Sequence, residues 1–552
     1  MSKKAGTKLL IVTLLVTLTY GFSQAQDDYR SSQQITTQLQ SLSRQYSSLA
    51  KLQSIGKSDG GKDIWVLTLG SGDIDNHPAI VVAGGVDGRY IVSTELALKF
   101  AEQLLASSQT DSVKNLLATT TFYVLPNVNP EATDQFFASL KYARTGNGRA
   151  TDDDRDGQNG EDGYEDLNGD GLVTMIRVED ATGEWKKSEA DDRIMVKAAD
   201  GESGGYLYLT EGTDNDKDGA FNEDGAGGIN FNNSLTWDFP YFQPGAGDFP
   251  VADKENRAVL DFLFERWNVF ALVTFGSSDN LNAPIKYNAG EASKRVLKGV
   301  LKSDADANAL VSKNYADIVG KKEGAQPVVL GGGFMEWGYF HYARYSFGTP
   351  AWSWPEFKMP EDSAAKAKYK PNKDKNKEVD YLRWAEANSH DLFVEWKPVN
   401  HPDFPGKKVE VGSWKPFAPY NPPFSLVADI SDKQNKFILK LASMKPQVKI
   451  ENLAVESVGK GMTRITADIF NAGTLATMTE LAQKTRWVRM TKVEMALTGS
   501  QQIVSGDKVR LISSIDGGDK VTMSWLVKGS GSVKLSAGSA QTGIDTKTIT
   551  LK

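Results

Sequence analysis

PAIVVAGGVDGRYIVSTELALKFAEQLL, residues 78–105, decides the reading of this chain. Its apolar run Ala79-Ile80-Val81-Val82-Ala83 predicts a buried strand. Gly84 and Gly85 end the run in a turn. Ser93 or Thr94 is placed to cap a helix whose apolar face includes Leu96, Phe100 and Leu104. In a doubly wound α/β sheet, the loop leaving such a strand lies where ligands bind. Asp87, Gly88, Arg89 and Tyr90 therefore occupy the place where chemistry is expected.

This frame resembles the M14 family of zinc carboxypeptidases, whose strand ends in a G-x-H-x-x-E segment carrying two zinc ligands. Here the segment reads Gly85-Val86-Asp87-Gly88-Arg89-Tyr90, with Asp87 in the histidine place and Tyr90 in the glutamate place. Upstream, SIGKSDGGKDIWVLTLG (54–70) is similar to the family's N-terminal region and predicts a hairpin feeding a strand at Ile64 to Leu69. Residues 30–54, with apolar spacing at Leu39, Leu42, Tyr46, Leu49 and Leu52, predict an entry helix. Downstream, Thr121 to Leu125 is another buried strand. Its exit, Pro126-Asn127-Val128-Asn129-Pro130-Glu131, resembles the family's Asn-Pro-Asp-Gly turn.

Between about 148 and 227 the composition shifts to Asp, Gly and Asn. DDDRDGQNGEDG (152–163) and DNDKDGAFNEDG (214–225) share one spacing, and DLNGDG (166–171) repeats its first half. Alternating acids around a sharp glycine turn converge oxygen donors on one hard cation, and calcium is the expected one. The candidate ligands are Asp152, Asp154, Asp156, Asp162, Asp166, Asn168, Asp170, Asp214, Asp216, Asp218 and Asp224. Neither long copy has Glu at position twelve, so neither is a complete EF-hand. The plain alternative is an acidic solvated loop that needs no ion.

GINFNN (228–233) resembles the family's Gly-Val-Asp-Leu-Asn-Arg motif, whose Asn-Arg pair grips the substrate's terminal carboxylate. Asn232 keeps the amide, whereas Asn233 replaces the arginine and lacks its charge and bidentate fork. The resemblance offers Arg144 or Arg149 as the family's other substrate arginine. PVADKENRAVLDFLFE then reads as a helix similar to the family's Ser-Glu-Pro-Glu-Thr-Arg segment. A third buried strand, Val269 to Phe275, ends where the family has its last zinc histidine, and Gly276 stands there. YARYSFGTPAWSWPEFK (342–358) resembles the segment of the catalytic glutamate and places Pro355 or Glu356 at that position. WKPVNHPDFPGKKVEVGSWKPF is similar to bacterial family members and closes the domain near residue 430.

The chain as a whole agrees with an extracellular protein. Lys3, Lys4 and Lys8 precede the apolar run Leu9 to Phe22 and a small-residue site at Ser23-Gln24-Ala25, the pattern of a secretory signal peptide. No second apolar stretch approaches membrane length, so no integral span is expected. There is no cysteine among the 552 residues, hence no disulfide framework. A net charge of -7 without a dense basic face gives no sign of a nucleic-acid partner. From about 443, short alternating runs (VKIENLAV, TRITADIFNAG, VTMSWLVKG) separated by Gly, Ser and Asn turns predict an Ig-like β-sandwich.

Other chemistries find no footing. Gly201-Glu202-Ser203-Gly204-Gly205 matches G-x-S-x-G but lies in the acidic insert, outside a strand-to-helix elbow. None of the four histidines, His77, His341, His390 and His401, lies in an H-x-x-E or H-E-x-x-H motif. His341 falls near the catalytic-glutamate segment.

The expected architecture is an α/β, mixed-sheet, zinc-carboxypeptidase-like domain at 26–435, following a signal peptide at 1–25 and carrying the acidic insert. A C-terminal all-β sandwich at 443–552 completes the chain. With Asp87, Tyr90 and Gly276 at the ligand positions, the expected function is that of an inactive relative, without zinc. Its cleft would bind a peptide or glycan end, with Tyr90, Asn232 and Trp352 as contacts. An active zinc peptidase with another metal arrangement, and a structural surface scaffold, are the alternatives.

Overall fold

The computed structural model describes residues 28–152, 157–160, 162–217, 219, 221–222 and 228–551. The signal-peptide segment 1–25 and the calcium candidates Asp154, Asp156, Asp218 and Asp224 lie outside them. Six strands form a central mixed sheet, in the spatial order Ala50–Lys57, Asp63–Leu69, Thr121–Leu125, Ala79–Ala83, Val269–Phe275, Tyr345–Thr349. The last four run parallel, and the first two join antiparallel. Every residue of the four parallel strands is buried. Cover on both faces is why they are continuous apolar runs rather than alternating ones.

The two faces take alternate side chains. Ile80 and Val82 pack with the helices Ser32–Gln45, Ile91–Ala106, Lys302–Val319 and Val427–Ser443. Ala79, Val81 and Ala83 pack with Lys254–Phe264 and Phe334–Phe340 on the other side. The entry helix is shorter than its apolar spacing predicts. It ends at Gln45, and Leu52 belongs to the strand Ala50–Lys57. That strand pairs with Asp63–Leu69 as the expected hairpin, and sheet pairing overrides the helical period.

The acidic insert holds more order than its composition suggests. Met175–Glu179, Trp185–Lys187, Met195–Lys197 and Tyr206–Thr210 join Phe393–Val399 and Val409–Trp414 in a second, six-stranded sheet. Its pairs are all antiparallel. Ile176, Val178, Val409 and Val411 form its small core. Ser203 sits in an exposed turn with its hydroxyl on the Ala181 carbonyl, far from any nucleophile elbow.

Residues 448–551 form two four-stranded antiparallel sheets. Ile465 and Trp525 of one share a core with Met495 and Leu535 of the other. This unit is fastened to the α/β domain. Asp304, on the helix Lys302–Val319, accepts the N–H groups of Glu480 (2.7 Å) and Leu481 (3.1 Å) and the Tyr339 hydroxyl (2.8 Å). Apolar residues from both sides, including Leu301, Ala305, Leu481 and Val488, bury this junction. Removing a buried acceptor strands all three donors, at about 1–3 kcal/mol for each unsatisfied group before relaxation. Asp304→Ala is therefore expected to lower unfolding free energy by about 2–4 kcal/mol in urea titration. A loss below about 0.5 kcal/mol would show that the junction does not depend on this carboxylate.

Candidate functional site

The parallel strands end at one edge of the sheet, the position at which open α/β sheets bind ligands. After Ala79–Ala83 the chain turns too tightly for side chains. A Cβ on Gly84 would lie 2.3 Å from the Ser93 carbonyl, and Gly85 has φ +69°. Ser93 does not cap its helix. Its hydroxyl accepts the Gly85 N–H at 2.8 Å and donates to the Tyr90 carbonyl at 2.6 Å. The helix begins at Ile91 with Tyr90 as its N-cap, without a side-chain cap bond.

Asp87 is 1% exposed inside this turn. Arg89 donates from Nε to Oδ1 at 3.1 Å and from Nη2 to Oδ2 at 2.8 Å, while its own N–H reaches Oδ1 at 3.1 Å. Both carboxylate oxygens are thus engaged. The Arg89 guanidinium also lies 5.0 Å from the Tyr420 ring centre. Tyr90 packs edge-on against Tyr420 at 5.4 Å. Burial, helped by the Asp87 charge, pushes its phenol up to about 12, which keeps it neutral at physiological pH. Gly276 ends Val269–Phe275, and a Cβ there would stand 2.5 Å from Val86 Cγ2. A zinc centre needs three side-chain ligands and an open position. Asp87 held by Arg89, a neutral phenol and a glycine do not fit such a centre.

The remaining candidates separate in space. Gly276 donates its N–H to the Thr349 carbonyl at 3.1 Å, so Pro350, rather than Pro355, stands beside it at the exit of Tyr345–Thr349. Glu356 is exposed farther along the chain. Asn232 joins the edge, but its amide is used internally. It donates to Ser277 Oγ at 3.2 Å and accepts the Phe334 N–H at 2.8 Å. Asn233 is only partly buried. Arg144 binds the Gly146 carbonyl at 3.1 Å and the Asn147 carbonyl. Arg149 pairs with Asp248 and Asp253 instead. Trp352 is half-buried and tilts against Trp384 at 6.1 Å.

The histidines take other roles. His341 ends the helix Phe334–Phe340 and meets Thr236 Oγ1. It precedes the opposite end of Tyr345–Thr349, about 15 Å from the Gly276 edge at the rise of a strand. His401 is buried against the Gly212 carbonyl at 2.8 Å, His390 faces Trp384, and His77 lies before the opening strand.

In the insert, the acids hold loop backbone. Asp166 accepts the N–H groups of Asn168, Gly169, Asp170 and Gly171 at 2.7–3.2 Å. Asp170 accepts the Leu172 N–H, while Asp152 and Asp214 each accept the N–H five residues on. Asp162 crosses from the first long loop to the second, taking Asn215 Nδ2 at 2.9 Å and the Asn222 N–H at 2.7 Å. Asp216 and Asn168 belong to these same loops.

One residue near the sheet edge escapes the sequence reading. Glu336 is 2% exposed and takes the Leu330 N–H at 2.8 Å and the Ser278 hydroxyl at 3.1 Å. Burial pushes its carboxyl up to about 7. Only its place inside an apolar helix, FMEWGYF, hints at this. A folded value above the ordinary 4.5 gives stability that is full below that pH and lost as pH rises through 7. Glu336→Gln keeps the shape without the charge. Urea titration should find it more stable than the parent by about 2–3 kcal/mol at pH 8, with the gain vanishing near pH 4.5. A pH-independent difference would contradict the assignment.

Comparison with known proteins places this architecture. The family profile described as Peptidase M14, zinc carboxypeptidase, matches residues 35–362. A second profile, described as a domain of unknown function, matches 447–550. The chain is 26% identical over 124 residues to a zinc carboxypeptidase of Saccharothrix mutabilis subsp. capreolus, covering 22% of this chain and 29% of that protein. It is 31% identical over 97 residues to carboxypeptidase M of Mus musculus, covering 17% and 22%. These matches span less than a third of either relative. A solved structure of thrombin activatable fibrinolysis inhibitor aligns with a TM-score of 0.40 at 13% identity, over 76% of this chain and 74% of that one. With the family match extending over more than half of its length, the chain belongs to the M14 zinc carboxypeptidase family.

Proposed function

We propose that this protein is a secreted, catalytically inactive member of the family, whose former zinc site is a closed ion pair and whose cleft binds a peptide or glycan end. The observation that carries this reading is the two-pronged bond of Arg89 to Asp87. It occupies the one carboxylate left at the ligand positions. Recruiting that carboxylate to a metal would take a half-buried guanidinium's partner from it. Pro350 at the strand exit supplies no base, and Asn233 supplies no cationic fork for a substrate carboxylate.

The aromatic groups at this edge suit a sugar ring or an uncharged side chain. Tyr90 and Trp352 follow strands separated by one intervening strand. Asn232 is withdrawn from the role of contact by its internal bonds. The segment 1–25 directs secretion in this reading.

With zinc supplied in excess, the full protein is expected to release no C-terminal residues from a peptide library. Release that needs zinc and stops on chelation would overturn the proposal.

We also propose structural calcium in the acidic insert. The crossed bonds of Asp162 support it, because they tie the two long loops together as a paired binding unit. Calcium titration by calorimetry should show binding that Asp166→Asn weakens at least tenfold. Equal isotherms for parent and variant would remove calcium from the Asp166 loop.

A further inference from the structure

A separate group of carboxylates lies where the insert leaves the α/β domain. Asp59, Asp253 and Glu255 each present a carboxylate oxygen within 4.8 Å of the other two. They come from distant segments: the turn of the first hairpin and the start of the helix Lys254–Phe264. Asn147, at the root of the insert, lies between them and donates Nδ2 to Glu255 Oε2 at 3.3 Å and to Asp59 Oδ2 at 3.5 Å.

Charge and direction both separate this group from an ordinary acidic surface. Asp253 and Glu255 are each 2% exposed. Asp253 occupies the N-cap position of its helix yet makes no side-chain cap bond. Its carboxylate turns to the cluster instead, and its Oδ2 is buried with no hydrogen-bond partner among the described residues. A buried carboxylate oxygen left without a donor is costly. Its Oδ1 meets the Arg149 guanidinium at 3.4 Å, and the Asn147 amide also lies beside this carboxylate. Glu255 Oε1 accepts the Asp59 N–H at 2.9 Å, and Lys254 Nζ reaches Asp59 Oδ1 at 2.8 Å. Arg149 is shared with Asp248 at 2.7 Å. Four carboxylates facing two cationic side chains leave a surplus of two negative charges.

We propose that Asp59, Asp253 and Glu255 bind one hard divalent cation, calcium, that clamps the hairpin turn, the insert root and the helix start together. Oxygen atoms no more than 4.8 Å apart need only a slight closing of their side chains to reach a common ion at about 2.3–2.6 Å. An all-oxygen set selects a hard cation over a thiolate- or imidazole-seeking one. Calcium tolerates the irregular shell that three carboxylates and water provide, whereas magnesium demands a near-ideal octahedron. Asp59 is only half-buried and gives the ion its entry.

The site is distinct from the insert loops, so its loss can be read separately. Calcium is titrated into the chelator-treated full protein, the Asp253→Asn/Glu255→Gln variant and the Asp166→Asn variant, with calorimetric stoichiometry as the readout. The double variant is expected to bind one calcium fewer than the parent, while Asp166→Asn retains that ion. Unchanged stoichiometry in the double variant would overturn the proposal. Should that variant not fold, Asp59→Asn in the hairpin turn serves in its place. At least tenfold weaker binding of one ion supports the site, and an unaltered isotherm removes it.

Discussion

The exit of the strand Ala79–Ala83 has no space for a side chain, and much of the domain is arranged around that fact. Gly84 faces the Ser93 and Pro126 carbonyls, and Gly85 faces Asn127 in a left-handed conformation. Ser93 fastens the turn from the helix side. The following helix can therefore lie directly on the sheet, where Leu96, Phe100 and Leu104 enter the larger core. Val86, carried inward by the same turn, occupies the space a side chain at Gly276 would need. One tight turn thus sets both the packing and the shape of the sheet edge.

At that edge, electrostatics takes over from packing. Asp87 is buried too deeply to remain an unpaired anion, and Arg89 meets both its oxygens from two residues away. Tyr420 covers the guanidinium, and Tyr90 stays a neutral phenol beside it. The result is a charge pair closed on itself.

Buried carboxylates recur across the molecule as organisers of backbone. Glu211, fully buried, takes the N–H groups of Leu167 and Thr174 and so joins an acidic loop to the insert's sheet. Asp304 does the same between the α/β domain and the C-terminal sheets. Acceptors of this kind satisfy donors that loops would otherwise bury unpaired. Asp253 Oδ2, to which no described residue donates, departs from that pattern.

Local residue chemistry made the central sheet legible from sequence. Doubly buried parallel strands must be continuous apolar runs, so 79–83, 121–125 and 269–275 could be recognised directly. The same reading placed Asp87 and Tyr90 in the loop after 79–83, and the resemblance to the carboxypeptidases pointed to Gly276 at the end of 269–275. It also anticipated the alternating strands beyond residue 443. What it missed depends on contacts between distant segments. The strands at 175–179 and 206–210 are hidden among acids; they pair with each other, and 175–179 joins them to 409–414. Ser93 looked like a cap, but the turn of the preceding strand claims its hydroxyl. Pro350 rather than Pro355 reaches the edge because pairing with Val269–Phe275 sets where the last strand stops. Sequence alone determined that Asp87, Tyr90 and Gly276 stand beyond the buried strands. Tertiary structure decided that Arg89 closes on Asp87 and that Asp59, Asp253 and Glu255 meet, since proximity across some 200 residues leaves no periodic trace in a chain.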